Sequence, residues 1–306
     1  MVALTVIVLI VTVWWLAYQY LPKGNLFYDG IHLLSWIYRL ESAPKKNLRK
    51  AKHRYGSNFR QYILHYRPSD GTEERNHVII YFHGGGWQFG RPEMFRGNAN
   101  TLTQLGYHVF MPSHRRIPFF DIKDLRTDAL KAVLKVREVM QSEGISNKKI
   151  ILGGVSSGGN LAALLAFDRT LLGSQELFAG LFLLASPLDL NYMWDSPPLL
   201  MLAGRRTGNR FRMANPAEHL QHGEQIPTLI LHGDMDGIVE YANSVSFFEK
   251  MKTLEARAVR METITGGIHQ DAASWCFEGH PSRRIVLGWL EEHEKQKENP
   301  CLGSLQ

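Results

Sequence analysis

The sequence predicts an α/β fold: a mostly parallel central sheet flanked by helices, with an N-terminal transmembrane helix ahead of it and a lid insertion late in it. Three observations carry this. Short unbroken apolar runs recur at 78–82 (VIIYF), 107–111, 149–152, 180–184 and 228–231, the mark of strands buried on both faces. Helical patterns lie between them, at about 94–105, 121–141, 157–168, 241–254 and 281–294, and such alternation implies βαβ units. Glycine-rich turns directly follow several of the runs, where open parallel sheets build their sites.

With 306 residues, 44% hydrophobic and 21% charged, the chain suits one globular domain plus an appendage, with a core that needs no covalent staples. Its two cysteines, Cys276 and Cys301, the second in a polar tail, do not make a disulfide framework.

Residues 2–21, VALTVIVLIVTVWWLAYQYL, carry no charged side chain. At 1.5 Å per residue, about 20 residues cross the hydrocarbon of a bilayer. Trp14, Trp15, Tyr18 and Tyr20 gather at the end where an aromatic belt would sit. A cleaved signal peptide needs a basic start and small residues before the cut, and neither is present. The run therefore reads as an uncleaved single-pass anchor, ahead of a buried core helix. Lys and Arg follow the run and none precede it, which places the remainder in the cytoplasm. The lack of an Asn-x-Ser/Thr sequence agrees with that side.

Residues 25–42 are apolar at helical spacing, through Leu26, Ile31, Leu34 and Ile37. They read either as a helix packed on the domain or as an interfacial helix on the bilayer. Net charge is +6, much of it in Lys45, Lys46, Arg49, Lys50, Lys52, His53 and Arg54. Such a block suits nucleic acid, a solvated surface or anionic lipid. Its place after an apolar N-terminus favours lipid, and without aromatic interleaving nucleic acid is not expected. Residues 60–66 then alternate as an antiparallel strand does, and 257–263 reads as the last strand. Residues 190–224, rich in Pro, Arg and Met, break the rhythm as an insertion or lid.

Gly154-Val155-Ser156-Ser157-Gly158 is a G-x-S-x-G sequence between the strand KKIIL and an apolar helix. A sharp strand-to-helix turn holds such a serine in a strained conformation that only small neighbours tolerate. The hydroxyl then sits at a helix N-terminus, where the dipole favours developing negative charge. His83-Gly84-Gly85-Gly86-Trp87 follows VIIYF. Acyl transfer needs backbone N–H groups for an oxyanion, and consecutive glycines let the backbone approach closely. The amides of Gly84, Gly85 and Ser157 would form that hole, with His83 ordering the loop. A phosphate-binding loop is the weaker reading, since neither G-K-[ST] nor G-x-G-x-x-G occurs.

A serine nucleophile needs a base, and the base an orienting carboxylate. The run at 228–231 leads into His232-Gly233-Asp234-Met235-Asp236-Gly237, and the last strand into Gly266-Gly267-Ile268-His269. Together, HGGGW, GVSSGGNLA, SPLDL at 186–190, HGDMDGIV and GGIH resemble the hormone-sensitive-lipase-like branch of α/β-hydrolase esterases, over roughly residues 78–289. The resemblance implies a triad of Ser156, Asp236 and His269, with Asp234 the runner-up acid and His232 and His280 structural or surface residues. It implies a serine hydrolase that cleaves carboxylic esters, small or lipid-derived, through an acyl-enzyme, with no metal and no cofactor. Amide or formamide hydrolysis on the same triad is the alternative, as is a non-catalytic membrane-tethered homologue. Two departures bear on substrate preference. Val155 stands where the family often has Asp, and His114-Arg115-Arg116-Ile117-Pro118 replaces Tyr-Arg-Leu-Ala-Pro-Glu. The expected organisation is an anchor at 1–22, an amphipathic and basic connection at 23–57, a catalytic domain at 58–296 with the lid at about 190–224, and a flexible tail at 297–306.

Overall fold

The computed structural model describes residues 2–43, 48–173 and 175–298, without the side chains of 2–4, 17, 18 and 296–298. Lys45, Lys46, Cys301 and nearly all of the expected tail lie outside that description. In chain order the elements are α1 (Val2–Tyr20), α2 (Leu26–Ser42), β1 (Lys50–Arg54), β2 (Tyr62–Tyr66), β3 (His77–Phe82), α3 (Arg96–Gln104), β4 (His108–Pro112), α4 (Ile122–Ser142), β5 (Lys149–Val155), α5 (Ser157–Phe167), α6 (Arg169–Leu172), β6 (Phe178–Leu184), α7 (Pro197–Ala203), α8 (Asn209–Ala214), β7 (Thr228–Gly233), α9 (Tyr241–Thr253), β8 (Val259–Ile264), α10 (His269–Ala273) and α11 (Pro281–Glu298).

The strands form one sheet in the order β1-β2-β4-β3-β5-β6-β7-β8. β2 runs antiparallel to β1 and β4, and all other pairings are parallel. The apolar runs are buried on both faces, as predicted. In β3, Val78, Ile80 and Phe82 pack with α4, α5 and α9. Ile79 and Tyr81 point the other way, onto α2, α3 and α11, as period-two side chains must. The strand order reverses between β3 and β5, since the chain leaves β3 for β4 and returns past it to β5. Open α/β sheets bind ligands at such a switch, and the glycine-rich and serine turns both leave from it.

Two expectations change here, and one open alternative narrows. First, the basic block does not simply connect. Residues 50–54 are the sheet's edge strand, paired to β2 from Lys50↔Tyr66 to Arg54↔Tyr62. Lys50, Lys52 and Arg54 face solvent while Ala51 and His53 face inward, and lysines on an edge discourage pairing with another chain. Second, α2 takes the domain-packed reading on one face, through buried Asp29 and Leu40 and the Trp36 indole N–H donated to Ser274 Oγ (3.0 Å). Its other face leaves Phe27, Leu34 and Tyr38 exposed. The fold thus takes in residues before 58. Third, among the described residues no helix is long and apolar enough to cross a membrane. The expected anchor forms the 19-residue helix α1, with Val6 to Val11 and Val13 to Leu16 exposed.

The insertion is helical. α7 and α8 bury Leu199, Leu202, Phe211 and Ala214 in the core on the α5 face. Asn160 of α5 donates to the carbonyls of Pro187 (2.9 Å), just before the insertion, and Ala214 (3.0 Å), at the end of α8.

Candidate active site

β5 ends at Val155 and α5 begins at Ser157, so Ser156 is the turn itself, at φ 53° and ψ −130°. A side chain rarely adopts that backbone, and holding it there costs of order 1–3 kcal/mol. The neighbours show what sustains it. A Cβ on Gly154 would lie 2.6 Å from the Gly158 backbone, and one on Gly158 would lie 2.3 Å from the Phe82 carbonyl oxygen. Only glycines let the three segments cross so closely. The Ser156 N–H donates to the Leu184 carbonyl of β6 (2.8 Å). The α5 ladder starts with the Gly159 and Asn160 amides on the Ser156 carbonyl, so the Ser157 amide precedes it, at the positive pole of the helix dipole.

The loop after β3 packs on this turn. A Cβ on Gly84 would fall 3.3 Å from the Ser156 Cβ and 3.1 Å from the Val155 carbonyl oxygen. Gly85 has φ 134° and leaves 2.5 Å to the Phe89 backbone, so a side chain fits there neither by torsion nor by space. His83 takes the ordering role read from sequence. Its Nδ1–H donates to the Gly84 carbonyl (2.8 Å) and its ring stacks on His114 at 5.0 Å between centroids. The stretch departing from the family pattern is used for support. Arg115 pairs with buried Asp128 (2.8 Å), and Arg116 donates to the Gly90 carbonyl of the same loop.

The structure brings Asp236 to His269 and leaves Asp234 aside. His269 Nδ1–H donates to Asp236 Oδ2 (2.7 Å), and both residues are buried. Asp234 is exposed and accepts the Gly266 N–H (2.6 Å), a tie between turns. Asp236 is saturated. Oδ1 accepts the Ile238 and Val239 amides, at 2.8 Å each, and Oδ2 accepts both His269 and His232 Nε2–H (2.9 Å). His232 Nε2 also reaches the Val239 carbonyl, so it carries the proton, and its Nδ1 accepts from Ser244 Oγ (2.7 Å). His232 is therefore structural, as expected. Its bond to Asp236 is not evident from the sequence motifs, although the spacing His232-x-x-x-Asp236 hints at it. His280 bonds Ser282 (2.7 Å) at the start of α11, away from this group.

Burial would raise the Asp236 carboxyl, but the imidazoles of His269 and His232 outweigh it and hold it well below the usual carboxylate range. Burial would likewise lower His269, and Asp236, with Asp29 behind it, outweighs that and raises it above the ordinary 6.5. With Nδ1 bonded to the carboxylate, the lone pair of neutral His269 lies on Nε2, free to accept a proton. Ser156, Asp236 and His269 leave the carboxyl ends of β5, β7 and β8 in one sheet. Among the described residues no group of His, Cys, Asp and Glu has a geometry to hold a metal ion.

A cavity of about 520 Å³ adjoins the glycine loop, lined by Phe59, Gln88, Phe89, Arg116 and Phe119 among others. A larger one, about 940 Å³, lies by the amino ends of β3, β5 and β7 at His77, Lys149 and Thr228, the wrong end of the sheet for Ser156.

A family model described as an alpha/beta hydrolase fold matches residues 79–270. The chain belongs to that family. It is 33% identical over 106 residues to Lipase 2 of a Moraxella strain, covering 33% of this chain and 24% of that protein. It is 33% identical over 105 residues to human arylacetamide deacetylase-like 2, covering 32% and 25%. It is 24% identical over 237 residues to esterase LipQ of Mycobacterium tuberculosis, covering 70% and 55%. The chain thus spans about a quarter of the first two relatives and about half of the third. Two solved structures share the fold: a truncated carbohydrate esterase from gut microbiota, at TM-score 0.71 and 18% identity over 83% of this chain and 99% of that one, and esterase 2 of Thermogutta terrifontis phosphonylated by sarin, at TM-score 0.65 and 21% identity over 86% and 99%.

Proposed function

We propose that this chain is a serine hydrolase of carboxylic esters that works through an acyl-enzyme on Ser156. The observation that carries the reading is the saturated Asp236 bonded to His269 Nδ1, with a serine held at φ 53° at the carboxyl end of β5 in the same sheet. His269 Nε2 takes the serine proton as Oγ attacks the ester carbonyl, and Asp236 stabilises the imidazolium that forms. The Gly84, Gly85 and Ser157 amides hold the oxyanion, each worth about 2.7–4 kcal/mol in the transition state. The imidazolium protonates the departing alcohol, and water then releases the acyl group by the same route. The relatives called lipase, esterase and arylacetamide deacetylase support a substrate with an acyl carbonyl.

The aromatic lining of the cavity beside the glycine loop supports an apolar acyl or alcohol group, and α7 and α8 stand as the candidate lid. The exposed apolar side chains of α1 and the Phe27, Leu34, Tyr38 face of α2 support attachment to a membrane. Lys and Arg beyond α1 favour the cytoplasmic side.

The test is a panel of p-nitrophenyl esters of rising chain length, beside an aryl formamide, with fluorophosphonate labelling in parallel. Ester turnover and a label on Ser156 are expected. A chain that takes no label and turns over no ester refutes the reading, and faster formamide cleavage moves it to amides. The charge state adds a pH test. Only neutral His269 accepts the serine proton, and its pKa is raised, so kcat/KM should fall as pH drops through a value above 6.5. A kcat/KM with no low-pH limb in the histidine range contradicts a histidine base.

A further inference from the structure

The acid and the base sit on separate loops, after β7 and β8, and something has to hold those loops in register. Residues 23–29, the end of the α1–α2 connection and the first turn of α2, do so. Lys23 Nζ donates to the Gly266 carbonyl (2.7 Å). The Asn25 backbone lies so close to Gly237 that a Cβ there would be 2.3 Å from it. Asn25 also caps α2 by accepting the Tyr28 N–H (2.9 Å), which fixes the first turn and points Asp29 inward. Asp29 is fully buried. Its Oδ2 accepts the N–H of Gly237 (2.9 Å), the residue after the acid, and the N–H of His269 itself (3.1 Å). Its carbonyl accepts from Gln270 Nε2 (2.7 Å). Oδ1 has no partner.

A buried carboxylate with an unbonded oxygen is costly to keep. A neutral cap or an apolar contact would dock α2 as well. What Asp29 alone supplies is one oxygen bridging the two backbone segments that carry the acid and the base, with a negative charge behind the imidazole.

We propose that Asp29 is a positioning residue for catalysis: its carboxylate, delivered by the helix after the apolar N-terminus, sets the spacing of Asp236 and His269. This rests on the reading of Ser156, Asp236 and His269 as the triad. Misplacing reacting groups by about 1 Å costs on the order of a hundredfold. In the full chain, Asp29→Ala should therefore lose about a hundredfold in kcat, with KM little changed and a thermal melt that shows the protein folded. Asp29→Asn keeps an oxygen for both amides and should recover most of that loss.

Where Asp29→Ala does not fold, the pH profile of Asp29→Asn decides. Two charged groups face His269, Asp236 from the loop after β7 and Asp29 from α2. Asp29 is faced in turn by Asp236 and His269. Asp271, on the turn after His269, is engaged with His280 and the Ile268 amide, and Lys23 with Gly266. Removing the Asp29 charge leaves the imidazolium less favoured, so the low-pH limb of kcat/KM should move to lower pH. Wild-type kcat in folded Asp29→Ala, or an unmoved limb in Asp29→Asn, overturns the proposal. Ser156→Ala run alongside keeps the two readings apart: turnover surviving in that variant refutes the triad rather than the role of Asp29.

Discussion

Asp236→Asn is expected to lower kcat by about 10⁴-fold with little change in KM. The reason lies in how the carboxylate is held. Oδ1 accepts two backbone amides, Ile238 and Val239, so the single oxygen of an asparagine stays on that side. The amide nitrogen is then forced toward His269 Nδ1 and His232 Nε2. An N–H facing Nδ1 makes that nitrogen the acceptor and moves the proton to Nε2, the tautomer that cannot take a proton from serine. The nitrogen also meets the proton on His232, so the variant should melt lower than the wild type. Steady-state kinetics at a pH above the His269 limb, with a melting curve, checks both outcomes. A loss below about tenfold would return the acid role to Asp234 or deny the need for one.

Ser156→Ala is expected to lower kcat by about 10⁶-fold, the scale reached when a serine nucleophile is removed, and to abolish fluorophosphonate labelling. Alanine occupies the same backbone with no new contact, so the fold should persist. Ser156→Gly adds a separate prediction. It should be equally inactive yet melt higher, because glycine adopts φ 53° without the strain of a side chain. The strain relieved, of order 1–3 kcal/mol, exceeds the roughly 0.4–1 kcal/mol by which glycine favours the unfolded chain. A Ser156→Gly variant less stable than Ser156→Ala would mean that the turn is not strained as its torsions indicate.

What could be read from sequence was what is local. The sequence signal of the serine turn lies within residues 149–167, where its glycines, its preceding apolar run and its following helix are contiguous, even though strands β3 and β6 pack against it. The strands of the parallel sheet were legible because burial on both faces leaves an unbroken apolar signature. β1 was not, because KAKHR presents only Ala51 and His53 inward and offers no apolar alternation. Asp29 was hidden for a different reason. An acid in the first turn of an amphipathic helix is what the helix dipole favours at a solvated end, and nothing local tells that it points into the core. Its partners are more than 200 residues away. The insertion at 190–224 read as irregular, yet Leu199, Leu202 and Phe211 bury it in the core.

That long reach bears on how the molecule comes to be active. The bond from Asp29 to the His269 amide joins positions 240 apart in sequence, and β3 pairs with β5 across the whole of β4 and α4. Contacts of such separation incur their loop-closure entropy before they return any stability, and they form late. During synthesis the serine turn can assemble once its neighbouring strands have emerged. The acid, the base and the helix that registers them meet only after nearly the whole chain is available. On the proposed triad, a partly made or C-terminally cut chain would hold the serine turn without His269, so activity would report completed folding.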